Sequence, residues 1–260
     1  MVIYSKETLI TALQKIRDRG WIPNARPGNV GGVGNTLEDL LGIEENNLPI
    51  PNATEWELKS QRAQTGALNT LFHMEPSPRG VKFVPRILIQ KYGWRHQLAG
   101  IQYPESEMSF RQTINCLDRS DRGFKVDVDK INSKILVTFD SKKVDPRHSA
   151  WLKNVEERAG LGELNPQPYW GFNDLFHKAG TKLLNCFYVQ ADVMKQNGKE
   201  FFYYKRILIL QDFNLGDFIR AIETGDVLVD FDARSGHNHG TKFRLRQEAR
   251  PRLYHHILEI

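Results

Sequence analysis

The chain has 260 residues, 40% hydrophobic and 26% charged, enough to bury a substantial core as one two-lobed domain or two small ones. No apolar run approaches the roughly 20 residues that span a bilayer, and the opening MVIYSKETL lacks the pattern of a signal peptide. A net charge of +5 with a pI near 9.1 permits a polyanionic partner without demanding one.

Residues 5 to 19 read as an amphipathic helix, with Ser5 as N-cap, Leu9, Leu13 and Ile16 as its stripe and Gly20 at its end. A glycine-rich loop follows at 24 to 34. Asn35 then opens a second helix in a capping-box-like arrangement with Glu38, and Gly42 closes it. After a polar turn, Glu55, Trp56, Glu57, Leu58 and Lys59 alternate charged and apolar side chains, the period of a strand with one buried face. Trp56 and Leu58 are expected in a core, and Glu55, Glu57 and Lys59 on the opposite face. Residues 68 to 73 form a paired strand ending in His73, and 81 to 93 a short helix limited by Pro85.

The polar stretch 94 to 123 marks a boundary between lobes, placed provisionally as 1–95 and 96–260. Two hairpins follow, turning at Asn132-Ser133 and Asn197-Gly198, with a helical stretch between them around 174 to 178. Asn214 caps a helix over 215 to 223, stopped by Gly225. A strand at 227 to 232, a His/Gly loop at 235 to 240, a strand at 242 to 246 and a short terminal segment complete the chain. Early helices followed by a strand-rich portion give a mixed α+β architecture, α/β in content but not doubly wound.

A carboxylate and an ammonium two residues apart on a strand, as in Glu57 and Lys59, suit phosphodiester hydrolysis: the carboxylate holds Mg²⁺ and the lysine positions a water. Alone, the triplet is very common and is far more often an ordinary solvated ion pair. The glycine-rich loop has no GK[ST] after it, which argues against a nucleotide-binding loop; it is a connector or a loop approaching a DNA backbone. The basic run at 242 to 252 is either a solvated surface or a nucleic-acid contact. His237 and His239 lack a third ligand for zinc. Cys116 and Cys186 have no metal-ligand spacing, so free thiols in a reducing cytosol are expected. The aromatic pairs at 201 to 204 read as sheet packing.

Five stretches in order carry more: the opening helix, GNTLEDLLGIEENN at 34 to 47, EWELK at 55 to 59, NTLFHMEPSPRG at 69 to 80 and HNHGTKFRLR at 237 to 246. Together they resemble the MvaI/BcnI group of type II restriction endonucleases, relatives of the mismatch-repair nickase MutH. The resemblance implies a PD-(D/E)XK, MutH-like fold with a catalytic and a recognition lobe around a DNA cleft. It also implies Mg²⁺-dependent cleavage of double-stranded DNA at a CC-N-GG type site by a cytoplasmic monomer, with a cognate DNA methyltransferase as functional partner. Carried over by position, Glu57 is a metal-binding carboxylate, Leu58 a further metal contact, Lys59 the lysine near the attacking water and Glu38 an additional acidic residue. His73 matches a histidine of the member that reads a central G·C pair, which points to a CC-S-GG site. His237, Lys242, Arg244 and Arg246 fall in a DNA-contacting segment.

One position departs. The resemblance calls for aspartate five residues before Glu57, as catalytic and metal-binding residue, and Asn52 stands there. The neutral amide binds a divalent cation less well. Three readings follow: a deliberate Asp→Asn change that holds an uncleaved DNA complex, a natural enzyme in which Glu55 supplies the second carboxylate, or a DNA-binding protein without cleavage. A MutH-like nicking endonuclease is a further alternative.

Overall fold

The computed structural model describes residues 4–29, 31–43, 56–63 and 65–260. In chain order the elements are α1 (Lys6–Asp18), β1 (Ile22–Pro23), α2 (Gly32–Leu41), β2 (Glu57–Arg62), β3 (Asn69–His73), a π-turn (Val84–Leu88) running into α3 (Ile89–Tyr92), β4 (Trp94–Arg95), β5 (Met108–Ile114), β6 (Arg122–Asp129) and β7 (Lys134–Val144). Then come α4 (Ser149–Ala159), β8 (Tyr169–Gly171), α5 (Phe172–Leu183), β9 (Asn185–Gln196), β10 (Lys199–Phe213), α6 (Leu215–Glu223), β11 (Val227–Arg234), β12 (His237–Leu245), a 3₁₀ segment (Gln247–Leu253) and β13 (Tyr254–Glu259).

Two compact units form, each from separated pieces of chain. The first takes Met1–Ala67, Ala179–Asn214 and Arg250–Ile260. Its sheet runs β1-β10-β9-β2, with β13 paired to β10. β2 lies parallel to β9, while the other pairings are antiparallel. Leu9, Leu13 and Ile16 of α1 and Val33, Leu37 and Leu41 of α2 pack with Leu58, Phe187, Val189, Ile207 and Ile209 on one face of that sheet. The long β9–β10 hairpin turns at Asn197 and Gly198, both at positive φ, the backbone a two-residue turn between twisted strands requires.

The second unit takes Leu68–Lys178 and Leu215–Ala249. It holds a five-stranded sheet, β3-β12-β11-β5-β4, and a three-stranded one, β6-β7-β8. Its core is aromatic. Trp170 is fully buried, edge-on to Phe243 at 5.2 Å between ring centres, and its indole N–H donates to the Met74 carbonyl at 3.0 Å. Phe110 meets Phe124 and Phe231 edge-on in the same way.

Several expectations change. Neither unit follows the division at 95/96, because the second half of the chain returns to complete the sheet that the first half began. The polar stretch after residue 94 is not a linker; it contains β4 and β5, whose outward side chains made it read as irregular. α2 begins at Gly32, not Asn35: a Cβ at Gly32 would come within 2.9 Å of the Asn24 side chain, so glycine lets the loop fold onto the helix start. There Asn24 accepts from the Arg26 amide and from Thr36 Oγ1, so the glycine-rich loop is a structural joint. β3 pairs with β12 in the second unit. His237 and His239 lie within β12, and only the residues before them turn.

Trp170→Ala removes both a hydrogen bond and the largest buried side chain. It is expected to cost about 3–5 kcal/mol in urea denaturation, and Trp170→Phe clearly less.

Candidate active site and the charged sheet face

β2 is an edge strand, and its alternation sets the chemistry. Leu58 points with Ser60 to the helix-covered face. Glu57, Lys59 and Gln61 point to the other face, beside Cys186 and Tyr188, which pair in register with Glu57 and Lys59. That second face is not the open surface expected: Glu57 is only 5% exposed. Lys59 Nζ lies 2.5 Å from Glu57 Oε1, and its side chain is one-third exposed. Glu57 Oε2 is buried and has no hydrogen-bond partner among the described residues.

The residues behind the pair are polar and equally buried. Arg250 is completely buried, its Cζ 5.1 Å from the centre of the Tyr188 ring, and Tyr188 donates its hydroxyl to Gln61 Oε1 at 3.1 Å. Burial pushes the Cys186 thiol up, against the pull of Arg250 and Lys59, while Glu57 adds to the rise. The Tyr254 hydroxyl is raised well above its usual value, again by burial first. Arg250 thus approaches both groups, yet its nitrogens complete no hydrogen bond among the described residues.

Glu38 lies half-buried on α2, the helix that packs Leu37 and Leu41 into the Leu58 cluster. Leu58 is a core residue whose side chain faces away from the pair. Asn52 and Glu55 lie outside the described residues. No group of three or more His, Cys, Asp or Glu suited to a metal occurs among the described residues. What fits a divalent cation is the donor chemistry of Glu57, an anionic group with one oxygen unclaimed.

The other predicted residues gather in the second unit, on one face of its five-stranded sheet. Inward lie Phe72, Phe243, Phe231 and Phe110; outward, in adjacent strands, lie His73, Lys242 with Arg244, Asp230 with Asp232, and Arg111 with Thr113. Lys242 is the cross-strand partner of His73 and donates to Asp232 Oδ2 at 2.9 Å; Arg111 reaches Asp232 Oδ1 at 2.8 Å. Arg244 pairs with Asp230 and donates to the Leu68 carbonyl at 2.9 Å. Burial pushes Asp232 up, but the Lys242 hydrogen bond and the charges of Lys242 and Arg111 outweigh it and hold the carboxyl below its usual value. Gly240, at φ +87, leaves room for the His73 ring, whose Cδ2 would lie 3.3 Å from an added Cβ. His237 and His239 stack edge-on at 4.3 Å, both exposed.

Here the sequence reading needs correction. The run 242 to 252 is only partly open: of its cations, Arg246 and Arg252 are exposed, and the others are not. Lys242 and Arg244 are held by aspartates of β11, Arg246 donates to the Gly225 carbonyl, and Arg250 is inside the protein. Asp230, Asp232 and Arg111 were missed, although the alternation in VLVDFDAR already places both aspartates on one face.

His73 is exposed, yet its imidazole is pushed below 6.5, first by partial burial and then by Lys242 and Lys178. The shift favours the neutral ring, and the small stability tied to that form is present above the ordinary histidine value and declines as pH falls through the depressed one. Titration by NMR is expected to place His73 below 6.5 and to show it moving up in Lys242→Met.

The sequence profile of the MvaI/BcnI restriction endonuclease family matches residues 10–254. The structure of a restriction endonuclease MvaI–cognate DNA substrate complex superposes with a TM-score of 0.75 at 24% identity, over 98% of this chain and 99% of that one. Restriction endonuclease MvaI in the absence of DNA matches over the full length of both chains with a TM-score of 0.58, also at 24% identity. No curated protein matches the chain. The fold is thus the mixed α+β, PD-(D/E)XK-like architecture of that endonuclease, and the chain belongs to the MvaI/BcnI restriction endonuclease family, whose members are site-specific deoxyribonucleases.

Proposed function

We propose that this endonuclease hydrolyses phosphodiester bonds of duplex DNA with Mg²⁺ at a short CC-S-GG-like site, with Glu57 and Lys59 at the reacting phosphate. The observation that carries the proposal is the buried Glu57–Lys59 pair on an edge strand, with Glu57 Oε2 unclaimed. Glu57 would hold the cation through Oε2, with the Leu58 carbonyl and the residue at position 52 as further donors. Bound there, the cation would supply Lewis-acid stabilisation of the charge that develops on the phosphate. Lys59, whose side chain is one-third exposed, would leave Glu57 Oε1 and orient the attacking water. Glu38 is assigned a supporting acidic role from α2.

The charged sheet face of the second unit is assigned to base reading. A neutral His73 carries one N–H donor, which suits the N7 and O6 acceptors of a central G·C pair in the major groove. Lys242 beside it, and His237, Arg244 and Arg246 on or after β12, would serve the remaining contacts. Because Lys242 and Arg244 are already paired with aspartates, their reach is fixed in direction, a property suited to base discrimination more than to holding phosphates. The protein would act as a cytoplasmic monomer beside a methyltransferase that protects the same site. A second reading, sequence-specific DNA binding without cleavage on a MutH-like scaffold, is favoured by one observation alone: the amide at Asn52 where a carboxylate would strengthen cation binding.

Asn52→Asp is expected to raise Mg²⁺-dependent plasmid cleavage by at least tenfold. Unchanged activity, if already high, would place the working second carboxylate at Glu55. If cleavage is absent in both proteins while duplex binding persists, the binding-only reading holds. Competition among four duplexes differing only at the centre should favour G·C and C·G by roughly 1–3 kcal/mol, about tenfold to a hundredfold, and His73→Ala should abolish the preference. A preference untouched by His73→Ala removes His73 from base reading and leaves the endonuclease assignment standing.

A further inference from the structure

A guanidinium keeps its charge when buried, so a buried arginine must find a counter-charge or be destabilised. Arg250 is 0% exposed, and Nε, Nη1 and Nη2 complete no hydrogen bond among the described residues. Its place explains it. The guanidinium carbon lies 5.1 Å from the ring centre of Tyr188, the register partner of Lys59, and Cys186, two residues earlier on the same face, is the partner of Glu57. Arg250 therefore covers the sheet face that carries the Glu57–Lys59 pair. Two more orphaned groups lie in this cluster, Glu57 Oε2 and the Tyr254 hydroxyl. The Arg250 nitrogens and Glu57 Oε2, buried and unmatched among the described residues, thus lie on one face of the first unit's sheet, and both charges act on the Tyr254 hydroxyl.

We propose that Arg250 is a positioning residue for Glu57: a fixed, buried counter-charge that holds the carboxylate in place when Lys59 turns from it toward the phosphate. Lys59 sits on a flexible four-carbon stem and is one-third exposed, so it can leave. Arg250 belongs to the 3₁₀ segment and lies fully buried over an aromatic ring, so it stays. Without it, departure of Lys59 before a cation is bound would leave a carboxylate alone in a dry face. The inference rests on Glu57 being the working carboxylate, but its test does not.

The test is a double-mutant cycle on the full chain, read by thermal unfolding without metal or DNA: parent, Arg250→Met, Glu57→Gln and the double variant. If the two charges hold each other, Arg250→Met lowers the melting temperature of the parent by several degrees and by less than half as much in the Glu57→Gln background. Arg250→Lys, which keeps the charge, should retain most of the parent's stability. Equal shifts in both backgrounds, or a stabilised Arg250→Met, would overturn the proposal, since a packing role alone is indifferent to the charge at position 57. Should Arg250→Met not fold, recovery of folded protein in the double variant supports the pairing, and an unfolded double beside a folded Glu57→Gln overturns it. A failed cleavage assay leaves this cycle unaffected, so the two readings fail separately.

Discussion

A carboxylate can be kept in a protein interior only if cations share the interior with it, and Glu57, 5% exposed on an edge strand, imposes that condition on the whole first unit. Lys59 meets it from the same strand and Arg250 from the far end of the chain. The sheet brings them together because β2 lies parallel to β9, setting Glu57 beside Cys186 and Lys59 beside Tyr188. A parallel pairing between strands more than a hundred residues apart requires a long crossover, and here the chain between them builds most of the second unit before it returns. The helices α1 and α2 seal the opposite face with Leu9, Leu13, Leu37 and Leu41.

The second unit answers the same electrostatic problem differently. Its outward sheet face carries Lys242, Arg244 and Arg111, each bound to Asp230 or Asp232 across a strand boundary. Paired, partly buried cations attract a polyanion weakly at long range, but they have fixed directions. Hydrogen-bond readout of base edges needs such preset geometry, whereas phosphate contacts tolerate mobile lysines. The aromatic layer beneath, from Phe72 through Phe243 to Phe110, gives the face a rigid backing.

Much of this was legible in the sequence because it is local. The Glu-Trp-Glu-Leu-Lys alternation, the two hairpin turns and the helix over 215 to 223 are each dictated by side chains within a few residues, and the strand-borne Glu57 and Lys59 followed directly. What was not legible is pairing between distant segments. Nothing near residues 68 to 73 says that the partner strand lies at 237 to 245, and nothing near 250 says that its arginine belongs with residue 57. Composition along the chain changes at 94, while contacts in space divide it in five pieces.

The basic run at 242 to 252 shows why charge counted along a sequence misleads. Within β12, Lys242 and Arg244 share one face because they are two apart, and that face meets the aspartates of β11 at the same spacing, so the charges cancel in pairs. Past the strand the period breaks at the 3₁₀ segment, and the next arginine but one turns inward. Residues that read as one patch are therefore divided between a charge-paired sheet face and a buried cation beside Tyr188. Screening by salt would act on the first only at its rim and on the second hardly at all, because a pair withdrawn from solvent is withdrawn from its ions.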